Sequence, residues 1–161
     1  MSAFCTRFAP SPTYYLHLGH AASALHVWRA AEKHEGDVVL RIEDIDTTRC
    51  RPEYTEAIYQ DLRWLGLEWP EPTRVQSEHF ADYASVVEAL SARGLAYRCF
   101  RSRTELAVLT DPLRPGRHAP EEEAQYLEDG KPFAWRLSLD AARSALGPAW
   151  TDLTYTEMKA G

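Results

Sequence analysis

The chain has 161 residues, with 18 lysines and arginines against 24 aspartates and glutamates, and 45% of its residues are hydrophobic. This composition predicts a soluble globular protein rather than a disordered tail. The net charge of -6 gives no general attraction for nucleic acid, so an RNA partner would need a local basic surface. No apolar run approaches the ~20 residues of a membrane helix, and no secretory signal opens the sequence, which predicts a cytoplasmic protein without a membrane partner.

The N-terminal part of the sequence predicts a strand, a helix and a second strand. Residues 3–9 form the first predicted strand, which Pro10 ends because proline cannot donate to a sheet. Apolar residues at helical spacing predict a helix over residues 18–34, and Gly36 follows as its stop signal. The apolar run at 38–42 is typical of a strand buried on both faces. Together these elements predict a βαβ unit.

Two further helices follow in the sequence. Pro52 opens a helix whose apolar stripe runs to Leu65, and Gly66 ends it. Ser77 is the predicted N-cap of a third helix, which stops at Gly94.

The last third of the sequence is less regular. Residues 95–100 predict a short strand, and residues 133–139 alternate apolar and polar side chains as a half-exposed antiparallel strand does. Between them, residues 101–120 predict a loop-rich insertion, since prolines and a glycine interrupt the pattern. Pro120, followed by three glutamates, predicts the start of a helix.

Polar clusters follow both strands of the predicted βαβ unit. Residues 7–20 read RFAPSPTYYLHLGH and run from the first strand into the first helix, and residues 41–46 read RIEDID and leave the second strand. Ligands of an open parallel sheet bind outside the carboxyl ends of its strands. Both clusters should therefore face one crevice.

His17 and His20 lie three residues apart at the start of the first helix, with Gly19 between them. The free N–H groups of a helix N-terminus attract anions, and imidazoles beside them can donate to phosphate. Two surface histidines in a first turn are the simpler interpretation. Metal ligation is a weaker alternative, because the spacing suggests no third ligand.

The acidic residues Glu43, Asp44 and Asp46 could form nothing more than a solvated turn. They could also bind an ammonium group or a ribose hydroxyl, and Arg7 on the neighbouring strand could hold a carboxylate in a bidentate pair. An arginine, a carboxylate and a histidine-lined helix start suit an amino acid that lies next to a nucleotide.

These clusters resemble the signatures of an enzyme family. Residues 6–13 (TRFAPSPT), 17–20 (HLGH) and 41–46 (RIEDID) are similar to those of the glutamyl branch of class I aminoacyl-tRNA synthetases. Ile45 and the character of residues 74–105 look closest to the glutamyl-Q tRNA(Asp) synthetases of that branch. The resemblance implies a Rossmann-like catalytic fold, ATP-dependent activation of glutamate to glutamyl-adenylate, and transfer of the glutamyl group to the queuosine of tRNA(Asp).

The resemblance also implies two groups of site residues. The first group binds ATP and consists of His17, Gly19 and His20. Its two histidines are also the implied catalytic residues. The second group forms the glutamate pocket: Arg7, Ala9, Ser11 and Glu43. In this interpretation Glu43 meets the α-ammonium group and Arg7 meets a substrate carboxylate. The implied partners are glutamate, ATP with Mg²⁺, and tRNA, with tRNA(Asp) favoured.

Three features depart from the family's pattern. Tyr14 stands where the family has glycine, so the loop is expected to be rerouted or partly blocked. Cys99 has no second cysteine at the Cys-x-Cys spacing of the family's zinc site, so zinc is not expected. The third departure is length: the family's fold continues into a second half with further glutamate-pocket residues and a lysine-containing ATP loop, whereas this sequence stops at Gly161. Its three lysines, none of them in a phosphate-loop context, are Lys33, Lys131 and Lys159.

We therefore predict an α/β fold with a Rossmann-like parallel sheet and an inserted loop-rich α/β region. Residues 1–95 would form the nucleotide- and amino-acid-binding half-domain, and residues 96–161 an acceptor-end-like region of a truncated catalytic domain. Alone, such a chain is expected to be inactive. The alternatives are the N-terminal part of a glutamyl-tRNA synthetase that charges tRNA(Glu), or a non-catalytic nucleotide- or RNA-binding remnant.

Overall fold

Parallel strands that alternate with helices form the first unit of the chain. The computed structural model describes residues 4–111 and 113–156, and the first of its two units ends at Phe80. The elements of this unit are β1 (Cys5–Phe8), α1 (Leu18–Lys33), β2 (Asp37–Ile42), α2 (Pro52–Trp64) and β3 (Arg74–Val75), followed by a 3₁₀ turn (Gln76–His79). The predicted βαβ unit is confirmed, and β3 is a strand that the sequence analysis missed.

β2 is the central strand of this sheet, whose order is β1-β2-β3. β1 pairs in parallel with β2, from Cys5 opposite Asp37 to Phe8 opposite Leu40. β3 adds a short parallel pairing, with Arg74 opposite Arg41. The carboxyl ends of all three strands therefore lie at one edge of the sheet.

The hydrophobic core lies on one face of this sheet. Its buried members come from both long strands, both helices and the segment after α2: Phe8, Ala24, Leu40, Ile42, Ile58, Leu62 and Leu67. Because side chains alternate along a strand, the residues between these core positions face the other way. Arg7 of β1, and Val39 and Arg41 of β2, therefore share the opposite face of the sheet.

A helix and an antiparallel strand pair dominate the rest of the chain. The second unit begins at Ala81, within the third helix. Its elements are α3 (Phe80–Ala92), β4 (Ala96–Cys99), α4 (Arg103–Ala107), α5 (Pro120–Glu128), β5 (Ala134–Leu137) and α6 (Leu139–Leu146), followed by a 3₁₀ turn (Gly147–Trp150). β4 and β5 pair antiparallel, from Ala96 opposite Leu137 to Cys99 opposite Ala134, as the alternation in the sequence predicted.

Some local predictions were wrong. Ser77 does not cap α3; its hydroxyl donates to Asp44 Oδ2 at 2.5 Å, and its backbone N–H donates to Asp44 Oδ1 at 2.8 Å. The predicted loop region 101–120 contains α4, where Ser102 and Glu105 form a capping box. The S-x-x-E spacing was a signal for that helix start. No helix of the described residues could cross a membrane.

Candidate active site

Backbone hydrogen bonds join the segments that leave β1 and β2. The N–H of Glu43 donates to the carbonyl oxygen of Pro10 at 3.0 Å, and the N–H of Arg51 donates to that of Pro12 at 3.0 Å. The two polar clusters predicted from the sequence therefore meet at one edge of the sheet, where open parallel sheets bind ligands.

His17 caps the N-terminus of α1. Its Nδ1 accepts a hydrogen bond from the N–H of Gly19 at 3.1 Å, while its own backbone N–H donates to Nδ1 of His20 at 3.2 Å. Each imidazole thus satisfies one backbone donor of the first turn. A nitrogen that accepts a hydrogen bond carries no proton, so these contacts assign the Nε2–H tautomer to both rings. Each ring keeps an Nε2–H group that can donate to a ligand.

The two imidazole rings lie against each other, with centroids 3.9 Å apart and planes tilted by 33°. Burial lowers the pKa of His20 below its ordinary value of 6.5, and the positive charge that His17 would carry lowers it further. The structure therefore favours the neutral form of His20 at the start of α1.

Gly19 is needed for this arrangement. A Cβ atom at this position would lie 2.9 Å from Cε1 and 3.1 Å from Nδ1 of His17. Any larger residue would have to push the His17 ring out of its capping position. Gly19 therefore lets the His17 ring lie close against its backbone, where the ring accepts the capping hydrogen bond from the Gly19 N–H group.

A cleft of about 450 Å³ lies between the β1 loop and the start of α1. It is lined by Phe8, Ala9, Pro10, Ser11, Thr13, Tyr14, Tyr15, His17 and His20. Four of the seven predicted site residues therefore line a single cleft. The remaining three are Gly19, whose N–H donates to the His17 ring, and two charged residues outside the cleft lining, Arg7 and Glu43.

Tyr14 lines the same cleft. Its side chain is 70% exposed, and its ring contacts those of Tyr15 and Tyr54, with both centroid distances 5.8 Å. Among the non-glycine residues described, a positive φ occurs at Glu35 and not at Tyr14. The loop therefore does not use the left-handed conformation that a glycine there would allow, and the tyrosine ring forms part of the cleft wall.

The acidic cluster divides into residues with different partners. Asp46 accepts hydrogen bonds from Thr48 Oγ1 and Arg49 Nε, both at 2.6 Å, and these bonds lower its pKa to about 2. Asp44 accepts the two bonds from Ser77 described above. Asp44 and Asp46 thus hold loops in place. Glu43 is the remaining acidic residue of the cluster.

Glu43 forms an ion pair with Arg41, which donates from Nη2 to Oε1 of the glutamate. Both side chains are half-buried, with 23% of Arg41 and 32% of Glu43 exposed. Arg7, on the neighbouring strand, is exposed. The sequence analysis missed Arg41, although its position two residues before Glu43 places both on one side of an extended chain.

The three cysteines are free thiols, and the described residues contain no cluster of three or more metal-ligating side chains. Of these thiols, Cys99 is buried in β4 and Cys5 is exposed on β1.

A parallel α/β sheet with a capped helix at its carboxyl edge defines a nucleotide-binding class of fold. Residues 3–137 match the family described as tRNA synthetases class I (E and Q), catalytic domain. The chain belongs to this family of synthetases, as the sequence resemblance predicted.

Named relatives agree with this assignment. The chain is 41% identical over 163 aligned residues to a glutamate–tRNA ligase of Nostoc sp. strain PCC 7120, which covers 94% of this chain and 33% of the relative. A glutamate–tRNA ligase of Synechococcus sp. strain CC9605 is 40% identical over 94% of the chain and 34% of the relative. The chain therefore spans about a third of the length of these relatives.

Solved structures show the same fold. A glutamate tRNA ligase from Elizabethkingia meningosepticum, in complex with its amino acid, superposes with a TM-score of 0.67 and 30% identity. The superposition covers 86% of this chain and 33% of that structure. The Rossmann-like fold predicted from the sequence is confirmed.

The lowered pKa of His20 predicts an acid-sensitive helix cap. The unfolded chain takes up a proton at this residue near its ordinary pKa, before the folded chain does. The stabilisation is therefore complete above about pH 6.5 and is lost as the pH falls through the folded-state pKa of His20. We expect His20→Gln, which keeps an acceptor for the His17 N–H, to reduce the loss of unfolding free energy between about pH 7.5 and about pH 5.

Urea unfolding at both pH values measures this difference. His26→Gln is the matched control, because His26 is exposed on the same helix and takes no part in the cap. Equal pH dependence of the His20→Gln variant and the wild type would contradict the neutral cap.

Proposed function

We propose that this chain supplies the ATP- and glutamate-binding part of a synthetase that activates glutamate for transfer to RNA. The observation that carries the proposal is the hydrogen bond from the Glu43 N–H to the carbonyl oxygen of Pro10, which joins the two signature segments. This contact brings the backbone of Glu43, the residue proposed to bind the ammonium group, next to the loop that leads to the histidine-capped helix.

In this proposal His17 and His20 bind the phosphates of ATP through their Nε2–H groups. The positive end of the α1 helix dipole adds to the attraction for negative charge. Gly19 keeps the His17 ring in place and lets the nucleotide approach the backbone. The residues that line the cleft include no carboxylate, so Mg²⁺ would be held by the phosphates and by water rather than by these side chains.

Glutamate would bind at the carboxyl ends of β1 and β2. Glu43 offers a carboxylate to the α-ammonium group, and Arg7 offers a guanidinium to a substrate carboxylate. Ala9 and Ser11 line the same cleft as the two histidines. The amino acid and the nucleotide would therefore lie next to each other.

The proposed reaction is attack of the glutamate α-carboxylate on the α-phosphorus of ATP. A C–O–P bond forms, the bond to the β-phosphate oxygen breaks, and pyrophosphate leaves. No proton has to move in this step, so the protein contributes mainly by positioning the reactants and stabilising negative charge. This explains why the site needs neutral donors and paired charges rather than a general base.

Two acceptors are candidates for the activated glutamate. The relatives named above are glutamate–tRNA ligases, which favours tRNA(Glu). Ile45, which is 55% exposed beside the acidic cluster, favours the queuosine of tRNA(Asp) through its resemblance to the glutamyl-Q enzymes. Charging assays with tRNA(Glu) and with queuosine-containing tRNA(Asp) separate the two.

Glu43→Gln tests the glutamate site. The variant removes the charge that pairs with the α-ammonium group, and a hydrogen bond to a charged group is worth ~1.5 to 3 kcal/mol. We therefore expect glutamate affinity to fall by about 10- to 100-fold while ATP affinity changes little. Isothermal titration of each ligand into the chain measures both.

Glu88→Gln is the control for this experiment, because it removes the same charge from an exposed position on α3. Unaltered glutamate affinity in Glu43→Gln would show that Glu43 does not bind the ammonium group.

The chain by itself is expected not to catalyse glutamate-dependent exchange of pyrophosphate into ATP. Positioning supplies ~7 to 11 kcal/mol of a barrier only when the reactants are held from all sides, and none of the three lysines stands in the sequence context of a phosphate loop. Exchange is measured with labelled pyrophosphate and the 161-residue protein, whose length is checked by mass. Robust exchange would contradict this expectation and show that the 161-residue protein forms a complete catalytic site.

A further inference from the structure

Three tyrosine rings contact one another beside the histidine cleft. Tyr14 and Tyr15 belong to the loop after β1, and Tyr54 lies in the first turn of α2. The ring centroids of Tyr15 and Tyr54 are 4.9 Å apart, and the centroid of Tyr14 lies 5.8 Å from each of them. Aromatic rings at such distances attract one another. The two neighbouring rings therefore restrict the movement of the Tyr14 ring.

Packing within the chain does not account for Tyr14. The residue is 70% exposed and its neighbour Tyr15 is 52% exposed, so the two rings form an apolar patch on the surface. Adjoining exposed apolar side chains often mark a binding site. The backbone of Tyr14 has no positive φ, and the related synthetases carry glycine at this position. Neither burial nor backbone conformation therefore requires a tyrosine here.

The Tyr14 ring has room for a parallel neighbour. Its plane is inclined by 70° to the ring of Tyr15 and by 47° to that of Tyr54, so neither of these rings stacks on it in parallel. Tyr14 also lines the cleft at the start of α1. Nucleobases stack on exposed aromatic side chains, and every base has a face that can do so. A base that enters the cleft can thus lie against this ring.

The same cleft presents donors for a phosphate. His17 and His20 line it, and each keeps an Nε2–H group that is not used in the helix cap. The described residues that line the cleft include no carboxylate that would repel a phosphate. Its volume of about 450 Å³ lies within the range of ~300 to 1,000 Å³ that is typical of ligand sites. An aromatic ring and two phosphate donors in one cleft suit a nucleotide.

We propose that Tyr14 is a stacking residue for a nucleobase whose phosphate binds at His17 and His20. This inference rests on the proposed function, which places phosphates at the two histidines. The base has two possible sources: the adenine of ATP, or an unpaired base of the RNA that receives glutamate. In either case the ring holds one end of the nucleotide and the histidines hold the other. Tyr14 would thus orient the nucleotide along the cleft.

Calorimetric titration of the full chain tests this with two matched pairs of ligands. The first pair is ATP and ribose 5-triphosphate, which is ATP without its base. The second pair is single-stranded hexa-adenylate RNA and an abasic ribose-phosphate oligomer of the same length. The wild type should prefer the base-bearing member of one pair by about tenfold, which corresponds to ~1.4 kcal/mol.

The variant Tyr14→Leu keeps an apolar side chain but removes the aromatic face, so it should lose most of this preference. The affinity for the base-free ligands should not change, whereas a purely structural role of Tyr14 in the loop would weaken both members of a pair alike. Tyr14→Phe keeps the ring and should bind as the wild type does. Tyr155→Leu is the matched control, because it removes a tyrosine that is 90% exposed and lies outside the cluster of three rings.

The outcomes separate this inference from the proposed function. A preference that Tyr14→Leu loses in the ATP pair identifies adenine as the stacked base, and one lost in the RNA pair identifies the acceptor. No preference in either pair overturns the role of Tyr14 without any variant, and so does an unchanged preference in a folded Tyr14→Leu chain. Absence of binding of both triphosphates by the wild type contradicts the proposed function itself.

Discussion

The parallel pairing of β1 with β2 is the interaction on which the site depends. It fixes the register from Cys5 opposite Asp37 to Phe8 opposite Leu40, so the chain leaves both strands at the same edge. The hydrogen bond from Glu43 to Pro10 continues that pairing beyond the last ladder residues. Burial of Leu40 and Ile42 against the two helices holds the register, because a slip of one residue would turn these side chains away from the core.

Two kinds of polar chemistry result at this edge. At the start of α1, the two capping histidines present Nε2–H donors, and burial and the adjacent ring lower the pKa of His20. At the end of β2, the half-buried side chains of Arg41 and Glu43 form an ion pair. In the proposed function, a nucleotide phosphate binds at the first and the zwitterionic end of an amino acid at the second.

The sequence predicted those parts of the fold that local patterns determine. The apolar runs and stop signals located β1, α1, β2 and α2, and the signature segments located the cleft. Contacts between distant residues were not predictable: Ser77 looked like a helix cap, but Asp44, 33 residues away, binds its hydroxyl. The partner of Glu43 was missed for a different reason, because Arg41 was read as part of a motif rather than as a charge on the same face.

Amide chemical-shift mapping of the full chain during titration with glutamate tests the central claim most directly. The account predicts that the shifts concentrate in residues 7–11 and 41–43, the carboxyl ends of the two paired strands. Shifts confined to the β4–β5 region, or no shifts at saturating glutamate, would contradict a site built by the pairing of β1 with β2.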